Sequence, residues 1–246
     1  MRIYCCNSCN ICYYCNIMKS KSNISNIEEL AASENGVFTA AQARVFGIPR
    51  YALAYAEKAG KIERIAHGAY RLASSIDDGL DGLRAVYKLT APGKWTHERM
   101  RAFDGFAVAG ATAAHLHGIG DLHPDPYEIA SPRRFNSRMD GVRFPVRSLS
   151  EADIIWKSGI PVTRVETTIS SLVDAGEDSS LVADVFVEAV RKYGATDMDI
   201  RVLRKRLEAA RYDELLSAAG IVPFGETKLV ETDGAGHVAI IEKKES

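Results

Sequence analysis

The residues best suited to chemistry on a large anionic partner lie between positions 50 and 71. Placed at 100 degrees per residue, the stretch from Arg50 puts Ala52, Leu53, Ala56 and Ala59 on one face and Tyr51, Ala54, Tyr55 and Lys58 on the other. The small apolar face should pack, which leaves phenol rings and an ammonium facing solvent. Arg50 stands in the first turn, where a recognition helix meets base edges or phosphates, and Lys61, Arg64 and Arg71 follow. Between Gly36 and Ser75 there are six bases (Arg44, Arg50, Lys58, Lys61, Arg64, Arg71) and two acids (Glu57, Glu63), so the segment carries +4 on a chain whose total is −1. A local basic module on a near-neutral chain fits double-stranded DNA. The candidate contacts are Thr39, Gln42, Arg50, Tyr51, Tyr55, Lys58, Arg64 and His67, the last at a turn that could reach a minor groove.

Other reactive side chains are fewer. All five cysteines (Cys5, Cys6, Cys9, Cys12, Cys15) fall in the first fifteen residues, and four recur every third position. Thiolates so spaced can share a soft metal, but four ligands on one short segment are cramped and no later cysteine adds a second element. The leader to residue 26 therefore reads as a cysteine-rich extension, disordered or upstream of a natural start at Met18. His115 and His117, with Asp121 and His123 near, suggest a metal, yet residues two apart on a helix point to different sides. Glu231, Asp233 and His237 resemble the acidic strand of a metal-dependent nuclease, which would need further acidic and basic residues on a following helix. With no phosphate-cradling glycine loop and no nucleophile elbow, the chain reads as a non-enzyme without cofactor or metal.

The elements that position these groups follow from local signals. Asn26 can cap a helix through Glu29, with Ile27, Leu30 and Ala31 at helical spacing, until Gly36. Thr39 caps a second helix over Ala40 to Phe46, and Pro49 opens a third that runs to about Ala59. Ile62 to Ile65 and Ala69 to Leu72 read as two short strands around Gly68. Three helices and a hairpin in this order predict a winged helix-turn-helix over residues 27–73.

The polar, acidic stretch 74–82 reads as a linker. Behind it a mixed domain is expected over 83–215. It would hold a helix at Thr112 to His117, extended runs at Tyr127 to Ala130 and Val142 to Leu149, and helices at Thr167 to Ala175, Leu181 to Tyr193 and Ile200 to Ala210. Residues 216–246 read as a poorly ordered tail. The fold class is thus α+β, a winged helix followed by a small sheet with several helices. No apolar run is long enough to span a bilayer, so a cytoplasmic protein is expected.

The run Gly36-Val37-Phe38-Thr39-Ala40-Ala41-Gln42-Ala43, then Gly47-Ile48-Pro49-Arg50-Tyr51, then Gly60-Lys61-Ile62-Glu63-Arg64-Ile65-Ala66-His67-Gly68-Ala69-Tyr70 resembles the AbiEi antitoxins of type IV toxin–antitoxin systems and their related transcriptional regulators. Thr112 to Ile119, the Pro132-Arg133-Arg134 loop, and Gly159 to Thr163 running into Glu166-Thr167-Thr168 are similar to that family's second domain, although an arginine common there is replaced by Thr167. The resemblance spans roughly residues 27 to 210. It implies an antitoxin of abortive infection that represses its own operon by binding operator DNA, commonly as a pair, and counteracts a nucleotidyltransferase toxin. The alternatives are a stand-alone winged-helix regulator, a winged helix used for protein contact, and the metal-dependent nuclease.

Overall fold

A computed structural model describes residues 23–137, 139–222 and 226–242. The cysteine-rich segment, and with it the reading of its thiolates, lies outside the described residues. The chain divides into two compact units after Ala102.

In the first unit, α1 (Asn23–Ser33) buries Ile27, Leu30 and Ala31. It begins three residues before the expected Asn26 cap, so that side chain lies within the helix. Asn35 and Gly36 both take positive φ, 57° and 83°, and reverse the chain into β1 (Val37–Thr39). Thr39 caps α2 (Ala40–Val45) through a reciprocal box with Gln42. Pro49 precedes α3 (Arg50–Lys58), which buries Ala52, Leu53 and Ala56, while Ala59 ends the helix in solvent. Strands β2 (Ile62–Ala66) and β3 (Ala69–Leu72) complete an antiparallel sheet in the order β1-β3-β2. This is the winged helix-turn-helix architecture within an α+β fold.

Strand alternation gives the small sheet two apolar faces. Phe38, Ile62 and Tyr70 pack toward α1 to α3, whereas Val37 and Ala69 meet Ala85 and Leu89 of a further helix. That helix is α4 (Asp81–Leu89), followed by α5 (Thr96–Arg101). Both belong to the first unit, so the 74–82 stretch joins the wing to its own backing helix. Its carboxylates are paired: the buried Asp81 accepts from Arg71 at 3.0 Å and from Arg84 at 2.9 Å, and the more exposed Asp78 also takes the Arg84 guanidinium. That guanidinium holds the Asp78 carboxyl below the usual carboxylate range.

The second unit builds a five-stranded mixed sheet in the order β6-β5-β4-β8-β7, from β4 (Ala107–Val108), β5 (Tyr127–Ala130), β6 (Val142–Arg143), β7 (Ile154–Lys157) and β8 (Ile160–Thr163). Its helices are α6 (Gly110–His117), α7 (Val165–Ala175), α8 (Ser179–Tyr193), α9 (Ile200–Arg206) and α10 (Ala209–Ala218). Ala114, Ile169, Phe186, Leu203 and Leu215 meet in their core. The single helix expected over 200–210 breaks at Leu207, whose ψ of 140° is extended.

Among the described residues of the expected tail, 216–218 continue α10 and a hairpin forms from β9 (Thr227–Glu231) and β10 (Val238–Glu242). Val238 is buried in the helical core, with Leu229 and Ile240 packed beside it. The Val238 N–H donates to the Gly194 carbonyl at 2.8 Å. A Cβ on Gly194 would stand 2.4 Å from both the Val190 and Val238 oxygens, so only glycine admits the strand that close. No helix of the described residues is long and apolar enough to cross a membrane.

Candidate nucleic-acid interface

Two of the eight sequence candidates are interior residues. Thr39 and Gln42 are both fully buried. The Thr39 N–H donates to Gln42 Oε1 at 2.9 Å, and the Gln42 N–H donates to Thr39 Oγ1 at 3.0 Å. Thr39 Oγ1 also donates to the Pro92 carbonyl, while Gln42 Nε2 reaches Glu34 Oε2 and the Lys94 carbonyl, each at 2.9 Å. With their polar atoms engaged inside the unit, neither can contact DNA; both hold α2 against α1 and the α4–α5 pair.

The other six are exposed. Arg50, Tyr51, Tyr55 and Lys58 project from α3, opposite its buried Ala52, Leu53 and Ala56. Arg64 and His67 stand on the wing, where Arg64 Nη2 donates to His67 Nδ1 at 2.8 Å. The imidazole thus accepts through Nδ1, which leaves Nε2 as its N–H donor.

Three of these six, Arg50, Arg64 and His67, converge in one place and are joined there by Arg44. An open cleft of about 420 Å³ between α2, the start of α3 and the wing is lined by Arg44, Arg50, Arg64 and His67, over a floor that includes Ile48, Leu53 and Tyr70. No carboxylate lines it. Three guanidiniums facing one concavity without an anion create a positive potential there, and a phosphate would satisfy their donors in forked geometry. Among the described residues, Arg44, Arg50, Lys58 and Lys61 carry no ion pair. Arg44 was visible in the charge count but not as a contact, because its approach to Arg64 depends on the folded wing.

Arg71 behaves differently. Its guanidinium meets Glu63 at 3.1 Å, Asp77 at 3.5 Å and Asp81 at 3.0 Å, so it fastens the wing to α4 and is not available to a phosphate.

Of the alternative reactive groups, His117, Asp233 and His237 are engaged within the fold. His115 is exposed and His117 buried, on opposite sides of α6. His117 Nε2 donates to the Thr163 carbonyl at 2.7 Å, and Lys157 Nζ donates to His117 Nδ1 at 3.3 Å. Burial lowers the His117 pKa to about 4, so the ring is neutral. Among the described residues no three His, Cys, Asp or Glu side chains converge as a metal site. Asp233 organises the β9–β10 turn, accepting from the Ala235 and His237 N–H groups at 2.9 and 3.2 Å and pairing with His237 Nδ1 at 2.6 Å. The hydrogen bond from His237 holds the Asp233 carboxyl below its ordinary range.

Residues 26–73 match the family model described as "Transcriptional regulator, AbiEi antitoxin". No curated protein matches the chain. Among solved structures, the RV2827C protein of Mycobacterium tuberculosis is similar at 18% identity and a TM-score of 0.49, over 80% of this chain and 76% of that one.

Proposed function

We propose that this chain is an operator-binding antitoxin, a reading supported by the match of residues 26–73 to the family model described as "Transcriptional regulator, AbiEi antitoxin". In this reading α3 enters the major groove, Arg50, Tyr51 and Tyr55 face base edges, and Arg44, Lys58, Lys61 and Arg64 take phosphates. Binding upstream of its own gene would repress the operon, and the second unit would counteract a nucleotidyltransferase toxin encoded beside it. The observation that supports this best is the acid-free cleft bordered by Arg44, Arg50 and Arg64, on a winged helix whose sequence matches that family model.

The test is a gel shift of the full chain on the duplex upstream of its gene at about 150 mM salt, with Arg50→Ala alongside. Co-expression with the neighbouring gene checks the antitoxin part. Saturable binding lost in Arg50→Ala, with rescue of growth, supports the reading. Binding without rescue reduces it to a stand-alone regulator, and no binding removes the DNA function.

A further inference from the structure

The two flanks of α3 differ in chemistry. The flank toward the wing carries Arg50 and opens on the acid-free cleft. The flank toward α1 is aromatic: Tyr51 and Tyr55 are 72% and 67% exposed, and with Asn23, Ile24 and Ala52 they border a second groove of about 310 Å³. Ala54, also exposed, lies between the flanks and leaves room for a base edge. Among the described residues, phenol rings this exposed keep most of their surface open to a partner. They are flanked by unpaired cations that complement a polyanion, so the occupant they fit is a nucleic-acid groove and not an apolar protein face.

Base edges in the major groove offer few apolar features, and the thymine C5-methyl is the principal one. Guanine, by contrast, presents two acceptors that suit a guanidinium fork. The exposed residues of α3 supply one guanidinium, two phenol rings, an alanine methyl and an ammonium, with the Glu57 carboxylate at the edge two turns from Arg50, and neither Asn nor Gln to read adenine in bidentate fashion. Tyr51 and Tyr55 are separated by about 6 Å along the axis at 1.5 Å per residue, close to two base-pair steps of about 3.4 Å.

We propose that Tyr51 and Tyr55 are specificity-determining residues that read thymine C5-methyl groups about two base pairs apart, while Arg50 reads a neighbouring guanine. This rests on the duplex-binding reading above. It assigns sequence preference to the aromatic flank of α3 and leaves affinity for phosphate to the charged one.

The experiment selects duplexes for the full chain from a random library and then replaces individual thymines of the selected site by deoxyuridine, which lacks only the methyl. Wild type should lose about fourfold in affinity for each read methyl. Tyr51→Phe/Tyr55→Phe, which keeps the rings, should retain that discrimination. Tyr51→Ala/Tyr55→Ala should bind thymine and deoxyuridine sites equally, with an unchanged melting temperature because both side chains are exposed. Tight binding by wild type that is indifferent to every such replacement overturns the proposal and leaves the duplex-binding reading intact. Discrimination that persists in the double alanine variant overturns it as well. A wild-type chain that selects no duplex overturns the parent reading and this one with it.

Discussion

Lys88 Nζ and the Glu34 carboxylate form an ion pair inside the first unit, with side chains only 5% and 1% exposed. Thr96 Oγ1 donates to Glu34 Oε2 at 2.7 Å, its N–H reaches Oε1 at 3.2 Å, and Gln42 Nε2 adds a donor at 2.9 Å. The carboxylate therefore ties together the end of α1, the start of α2, α4 and the start of α5. Lys88→Met would leave Glu34 buried with neutral donors alone, at an expected cost of about 3–5 kcal/mol. Glu34→Gln/Lys88→Met should recover much of it. Urea melts decide: a loss below about 1 kcal/mol in the single variant would show that the pair does not hold these elements together.

Thr39 and Arg50 should separate stability from binding. Thr39→Ala removes the cap of α2 and is expected to cost about 1–2 kcal/mol of stability. Arg50 is exposed and carries no ion pair among the described residues, so Arg50→Ala should leave the melting temperature within a degree or two while weakening duplex binding at least tenfold. The expectation fails if Arg50→Ala melts early or if folded Thr39→Ala loses binding to the same extent.

Gly194→Ala tests the C-terminal hairpin. The added methyl meets two backbone oxygens that cannot rotate away, so α8 and β10 must separate. A loss on the order of 2 kcal/mol is expected, together with faster amide exchange across β9 and β10. Unchanged exchange would mean that the hairpin does not depend on this approach.

His117 gives stability a pH dependence of determined sign. Its folded pKa, about 4, lies below the ordinary 6.5, so between these values the unfolded chain binds more protons. The stability it supports is complete above pH 6.5 and is lost as pH falls toward 4, by up to about 3 kcal/mol. Burial raises Glu128 and Glu166, which act in the opposite sense, so the histidine's part is the difference from His117→Gln. Equal slopes for the two chains between pH 6.5 and 4.5 would contradict this.

What the sequence revealed was mostly local. Thr39 as a cap, Pro49 before α3 and the Gly68 turn are signals spanning two or three residues, and each sits where those signals place it. Gln42 reads as an outward polar residue because one of the groups that engage it, the Lys94 carbonyl, comes from beyond the winged helix in sequence, and the other, Glu34, is itself held by Thr96 from there. The acidic run before α4 has a linker's composition; only the folded partners Arg71 and Arg84 make it part of a packed unit. Strands β9 and β10 show weak alternation because a two-stranded hairpin needs one buried face, supplied here by α8 from far upstream.

The engagement of Arg71 by Glu63, Asp77 and Asp81 sets a ceiling on how strongly the winged helix responds to salt. Of its six bases, with Arg50 given to a base edge, Arg44, Lys58, Lys61 and Arg64 remain to displace counterions from phosphates. At about 0.9 ion per phosphate neutralised, this module can contribute a log–log slope no steeper than about −3.6. A steeper measured slope would have to draw on cations outside it or on a second copy of the chain.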